Sequence, residues 1–151
     1  MNNSINFLVV EDNPSKVSSI QYLLDGLEVE FTVDYVMTPS ETIQKLKKNN
    51  YDFFILDMSL PAYSEESHSI GSLSGKQILQ TMKHKKISVP TVILTQWDVF
   101  GHHENTISLN GLKKELLDKF DKFLLGVVFW DSSSELWKEQ ILEYIAVSVN
   151  D

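Results

Sequence analysis

The sequence predicts an α/β fold, a five-stranded parallel sheet covered by helices on both faces, on three observations. Short apolar runs recur along the chain, and each is followed by a segment whose apolar residues fall at helical spacing. The runs at Phe7–Val10 and Tyr51–Leu56 are apolar almost without interruption, as strands buried on both faces must be. The strand-then-helix order repeats five times, and right-handed crossovers turn such an order into a parallel sheet.

The first strand, Phe7 to Val10, stops at Glu11-Asp12, and Asn13-Pro14 then reads as an N-cap followed by the first helical residue. Val17, Ile20, Leu23, Leu24 and Leu27 supply a helical stripe, with Gly26 expected in the left-handed conformation that closes many helices. Phe31–Val36 alternates as a second strand. Thr38-Pro39-Ser40-Glu41 has the form of a capping box and opens a helix that runs to about Lys48. The third strand, Tyr51–Leu56, delivers Asp57 at its carboxyl end. Pro61 closes the loop after it, and Ala62–Ser74 is a polar, Ser-rich stretch read as an insertion. Ile78, Leu79 and Met82 mark a third helix that ends in Lys83–Lys86. Val89–Leu94 is a fourth strand ending at Thr95, Gln96–His103 a polar loop, and Ile107–Phe120 a fourth helix. Phe123–Trp130 gives the fifth strand. Trp137, Ile141 and Ile145 recur every four residues on a last helix, with caps offered by Ser132–Ser134. The expected fold is thus a (βα)5 three-layer sandwich of flavodoxin-like order, a single domain over residues 1–151 with no linker and no output domain.

Composition narrows the function. A chain of 151 residues can bury a sizeable core, and its 8 Phe, 5 Tyr and 3 Trp exclude a disordered chain. With no cysteine there is neither a disulfide framework nor a thiolate zinc site. A net charge of −8 disfavours nucleic acid as a partner. No stretch approaches the ~20 apolar residues that span a bilayer, and the polar N-terminus lacks a signal-peptide pattern, so the expected location is cytoplasmic.

In an open parallel sheet chemistry collects at the carboxyl ends of the strands. Glu11 and Asp12 arrive there after the first strand and Asp57 after the third, while Thr95 brings a hydroxyl after the fourth. Three converging carboxylates repel one another, and a hard divalent cation with oxygen ligands, Mg²⁺ above all, relieves that repulsion. Any one of these acids alone reads as a helix cap or a solubilising loop residue. An acidic pair, a lone Asp and a Thr on three strand ends form a specific constellation.

These segments, Phe7-Leu8-Val9-Val10-Glu11-Asp12-Asn13, Tyr51 through Pro61 and Val89 through Thr95, together with Gly75, resemble the receiver domain of two-component response regulators. The resemblance covers nearly the whole chain. It implies a phosphorelay role, with Asp57 as phosphoacceptor and with Glu11, Asp12, Asp57 and the backbone carbonyl of Ser59 holding Mg²⁺. Thr95 would hydrogen-bond the phosphoryl group and switch the surface of the fourth helix and fifth strand. The implied partners are a histidine kinase or phosphotransfer protein upstream and another protein downstream, engaged on the surface around Ile107–Trp137. A homodimer is an admissible assembly, and no enzymatic turnover beyond slow self-dephosphorylation is expected.

The chain departs from the family pattern at one important place. Receivers carry a lysine at the end of the fifth strand, whereas no lysine stands between Lys122 and Lys138 here. An ungapped alignment through Gly126 puts Trp130 there, and Val127 where an aromatic residue usually turns inward. Gln96 replaces a small residue after the threonine. The alternative function is therefore a pseudo-receiver, an interaction scaffold that is independent of phosphate. A flavodoxin-like enzyme lacks its phosphate loop after the first strand. A haloacid-dehalogenase-like enzyme needs two Asp flanking one residue, whereas Glu11 and Asp12 are adjacent. Trp97, Phe100 and Trp130 form either an exposed aromatic patch or part of the core beneath the fourth helix. His102-His103, His68 and His84 are read as solvated rather than metal-binding.

Overall fold

The computed structural model describes residues 4–59, 74–102 and 105–149. The elements are β1 (Ile5–Val10), α1 (Pro14–Asp25), β2 (Phe31–Val36), α2 (Pro39–Lys48), β3 (Phe53–Leu56) and α3 (Ser74–Lys85), followed by β4 (Thr91–Thr95), β5 (Val99–His102), β6 (Asn105–Ser108), α4 (Leu109–Lys119), β7 (Leu124–Phe129) and α5 (Leu136–Val149). Five parallel strands lie in the order β2-β1-β3-β4-β7, the flavodoxin-like order expected from the sequence. The proposed Ala62–Ser74 insertion falls, but for Ser74, outside the described residues, as do Pro61, His68 and His103.

Alternation along each strand sends side chains into two cores. Leu8, Val10, Phe54, Leu56 and Ile93 pack with α2, α3 and α4 on one face. Phe7, Val9, Phe53, Ile55, Val92 and Leu94 pack with α1 and α5 on the other. The register fixes the carboxyl edge: Val10 pairs with Leu56, and the Asp57 amide donates to the Val10 carbonyl at 3.0 Å. Glu11 and Asp57 therefore emerge side by side.

The caps read from the sequence form as expected. Asn13 accepts from the Ser15 amide at 3.0 Å, and Thr38 accepts from the Glu41 amide at 3.2 Å while Glu41 reaches back to the Met37 amide at 3.3 Å. The expected left-handed Gly26 is corrected: it is right-handed with φ −84, and its N–H is satisfied by the Leu23 carbonyl. The left-handed closure belongs instead to Lys86, φ 60, where the Ile87 amide reaches the Met82 carbonyl at 2.9 Å and ends α3.

The largest difference lies after β4. The polar loop expected at Gln96–His103 contains a strand, β5, which pairs antiparallel with β6, and α4 begins at Leu109 rather than Ile107. Phe100 at the centre of this hairpin is fully buried against the α4 side of the sheet, an anchor that overrides the polar composition around it. An exposed aromatic patch is thereby excluded. Phe100 and half-buried Trp97 pack on the α4 side, whereas Trp130 is buried in the α1/α5 core on the opposite face.

Candidate functional site

Four residues named from the sequence reach one edge of the sheet. Glu11 and Asp57 are each only 3% exposed, Asp12 is half-buried, and one carboxylate oxygen from each lies within 4.8 Å of the others. Thr95 ends the neighbouring strand β4 and is fully buried. Ser59 follows Asp57 by two residues, and its N–H donates to Asp57 Oδ1 at 3.1 Å. Beneath this loop Gly75, at the start of α3, presses against the backbone and donates its N–H to the Met58 carbonyl at 2.7 Å. A Cβ there would sit 2.8 Å from Met58 Cα and 2.9 Å from the Asp57 carbonyl oxygen, so only glycine fits.

The structure adds a cation that sequence reasoning missed. Lys16, in the first turn of α1, is fully buried, and its Nζ lies 2.7 Å from Glu11 Oε1 and 3.5 Å from Asp57 Oδ1. It also donates to the Leu94 carbonyl at 2.9 Å, so it spans β1, β3 and β4. A signal was present. The buried stripe of α1 comprises Lys16, Ile20, Leu23 and Leu24, which places Lys16 four residues before Ile20 on the inward face. The stripe expected to start at Val17 starts one residue earlier, and Val17 itself is half-buried.

Glu11 is held from several sides. Its Oε2 accepts the amides of Asp12 at 3.2 Å and Asn13 at 3.0 Å, while Oε1 meets Lys16. Of the four lone-pair directions of a carboxylate, three are thus taken. Burial pushes the Glu11 carboxyl up to about 7, Asp57's charge adds to that rise, and Lys16 opposes it. Burial and then Asp57 also raise Asp12 above the ordinary range. Three carboxylates and one ammonium leave a formal charge of −2, which suits a divalent ion bound by oxygen. The donor set therefore fits the Mg²⁺ expected from the sequence.

On the other side of the edge, Thr95 Oγ1 accepts the Trp97 amide at 3.2 Å, tying the hydroxyl to the start of the hairpin. Trp130 stands where the lysine was expected. Its backbone N–H donates to the Thr95 carbonyl at 2.7 Å, and its indole Nε1 is buried with no hydrogen-bond partner among the described residues. Val127 is buried and Gln96 is half-buried. His84 is exposed on the last turn of α3.

The family model for the response regulator receiver domain matches residues 7–122 of this chain. A curated relative, the Detocs response regulatory protein DtcB of Enterobacter cloacae (strain JD6301), is 26% identical over 144 residues, covering 91% of this chain and 96% of the relative. Among solved structures, the receiver domain of Francisella response regulator 1452 is similar with a TM-score of 0.65 at 16% identity, covering 97% of each chain. The phosphorylated cyanobacterial phytochrome response regulator RcpA gives a TM-score of 0.67 at 16% identity over 96% of this chain and 94% of that one.

Proposed function

The chain belongs to the response regulator receiver domain family, and from that premise we propose that it is a phosphoacceptor that takes a phosphoryl group on Asp57 and signals by contacts with another protein. The observation that carries this reading is the convergence of Glu11, Asp12 and Asp57 within 4.8 Å on the carboxyl edge of the sheet. A carboxylate oxygen of Asp57 attacks the phosphorus of a phosphohistidine or of a small acyl phosphate. The P–N or P–O bond to the donor breaks, the donor leaves with the electron pair, and an aspartyl phosphate remains. Asp12 and Asp57, with Glu11 and the Ser59 carbonyl, would hold Mg²⁺, which when bound neutralises charge on the transferring group. The Asp57 carboxylate is pre-oriented for this by the Ser59 amide.

The Thr95 hydroxyl already accepts from Trp97, and its own proton is suited to a phosphoryl oxygen. A movement of Thr95 toward the phosphate pulls on the Trp97 amide. Trp97 and Phe100 pack against the α4 side of the core, so the hairpin and α4 form the surface that responds. A histidine kinase or phosphotransfer protein in the cytoplasm would supply the phosphoryl group. Among the described residues no helix is long and apolar enough to cross a membrane.

A second reading, a pseudo-receiver scaffold, is favoured by Trp130 at the position of the missing lysine. Intact-protein mass after incubation with Mg²⁺ and acetyl phosphate, beside Asp57→Asn, separates the two. A single phosphate adduct absent from the variant supports the phosphoacceptor. No adduct from acetyl phosphate, phosphoramidate or a phosphorylated histidine donor leaves the scaffold.

A further inference from the structure

We propose that Lys16 is the cation that contacts the phosphoryl group, taking over from the first turn of α1 the work that receivers assign to a lysine on their last strand. The inference rests on the reading of Asp57 as phosphoacceptor. Its observations are independent of that reading.

A fully buried amine is costly unless it is paired, so the position of Lys16 needs a reason. An ammonium has three protons to place. One goes to Glu11 Oε1 at 2.7 Å and one to the Leu94 carbonyl at 2.9 Å. Among the described residues the remaining close oxygen is Asp57 Oδ1 at 3.5 Å, beyond the length of a formed N–H···O bond. The charge therefore faces the acceptor carboxylate with a donor that no described residue takes up at hydrogen-bond length, on the atom group where phosphoryl oxygens would be added.

Lys16 is also fixed in advance. The Asn13 cap and Pro14 set the start of α1, and Glu11 and Leu94 hold the ammonium on two strands. Leu94 adjoins Thr95, so cation and switch hydroxyl are joined through a single peptide unit. Nothing at the end of β7 competes for the role, because Trp130 is buried in the α1/α5 core and carries no charge.

The test compares wild type with Lys16→Gln, Lys16→Arg, Asp57→Asn, Glu11→Gln and the double variant Lys16→Gln/Glu11→Gln. The double variant removes both buried charges, protects against loss of folding and is read against Glu11→Gln so that the loss of that carboxylate cancels. Two quantities are read for each folded protein: Mg²⁺ affinity by titration, and the rate of phosphoadduct formation from acetyl phosphate by intact mass. Loss of a charge-assisted hydrogen bond should slow adduct formation about ten- to a hundredfold in Lys16→Gln. Mg²⁺ should bind at least as tightly, since a competing positive charge is gone, and Lys16→Arg should recover part of the rate.

An unchanged rate in Lys16→Gln, or in the double variant relative to Glu11→Gln if the single one unfolds, overturns the role of Lys16 while leaving Asp57 as acceptor. Parallel loss of Mg²⁺ affinity and adduct in Lys16→Gln relative to wild type, or in the double variant relative to Glu11→Gln, makes Lys16 a structural counter-ion and also overturns it. No adduct on wild type from any donor sinks the reading of Asp57, and that of Lys16 falls with it.

Discussion

The two halves of the carboxyl edge differ in kind. At the ends of β1 and β3, Glu11, Asp12, Lys16 and Asp57 crowd together, and Glu11 is engaged through both oxygens. At the ends of β4 and β7 the residues are Thr95, Trp97 and Trp130, a single hydroxyl amid aromatic side chains, with one indole N–H unpaired among the described residues. In the proposed function the first half handles charge. The second would convert a small movement into a change of packing, since Thr95 is bonded to the start of the hairpin whose Phe100 enters the α4 core. The proposed chemistry and the proposed output thus lie on separate parts of the edge, and the buried cation, Lys16, sits with the carboxylates.

The sharpest way to break this division is Phe100→Ala. Removing a fully buried aromatic ring should cost about 3–5 kcal/mol in urea unfolding, yet leave the divalent affinity of the folded variant unchanged. Collapse of that affinity in protein still folded would show the halves to be inseparable.

Gly75→Ala strikes the charged half. Its Cβ meets the backbone of Asp57 and Met58, which cannot swing aside as a side-chain tip can, so a loss of about 1–3 kcal/mol is expected, with weaker divalent binding. Wild-type stability and affinity in that variant would contradict the close packing of α3 on the Asp57 loop.

The titration of Glu11 gives a smaller effect. Its carboxyl rises from the ordinary 4.5 to about 7 in the folded protein, chiefly through burial. Between those values the folded state holds the proton more tightly than the unfolded state, so the contribution is complete at low pH and is lost as pH rises toward 7. The metal-free protein should therefore fall in Tm relative to Glu11→Gln across this window, and Mg²⁺, which favours the ionised form, should offset the fall. A difference in Tm that grows in favour of wild type as pH rises would refute the assignment.

Trp130→Phe should matter least. It removes an indole N–H that is unpaired among the described residues at the cost of a small void, so stability should change by no more than about 1 kcal/mol, with phosphoadduct formation unaltered. A loss of adduct there would move the phosphate-contacting group back to β7.

The five-stranded sheet was legible because apolar runs and periodic stripes are long signals, and Asn13, Thr38 and Glu41 cap as their residue types dictate. The acids of the site were legible because they terminate strands. Three features escaped for physical reasons. The β5–β6 hairpin depends on one tertiary anchor, Phe100, within a polar stretch whose local pattern says loop. Gly26 sits at a helix end where glycine is common in the left-handed form, but a right-handed turn satisfies its N–H as well. Lys16 escaped because a charged residue on an apolar stripe looks like the outer border of that stripe. Only the folded chain shows that the stripe ends over Glu11 and Asp57.

The position of Lys16 has a consequence for how the chain can be altered. Among the described residues, every charged group gathered around Asp57 is encoded by residue 57, before β4 is made. The last strand and helix contribute packing and backbone pairing with β4, which Trp130 extends by a bond to the Thr95 carbonyl. A carboxyl-terminal segment relieved of electrostatic duty can diverge in sequence, accept a fused module or be exchanged between relatives, while the charge balance around Asp57 stays intact.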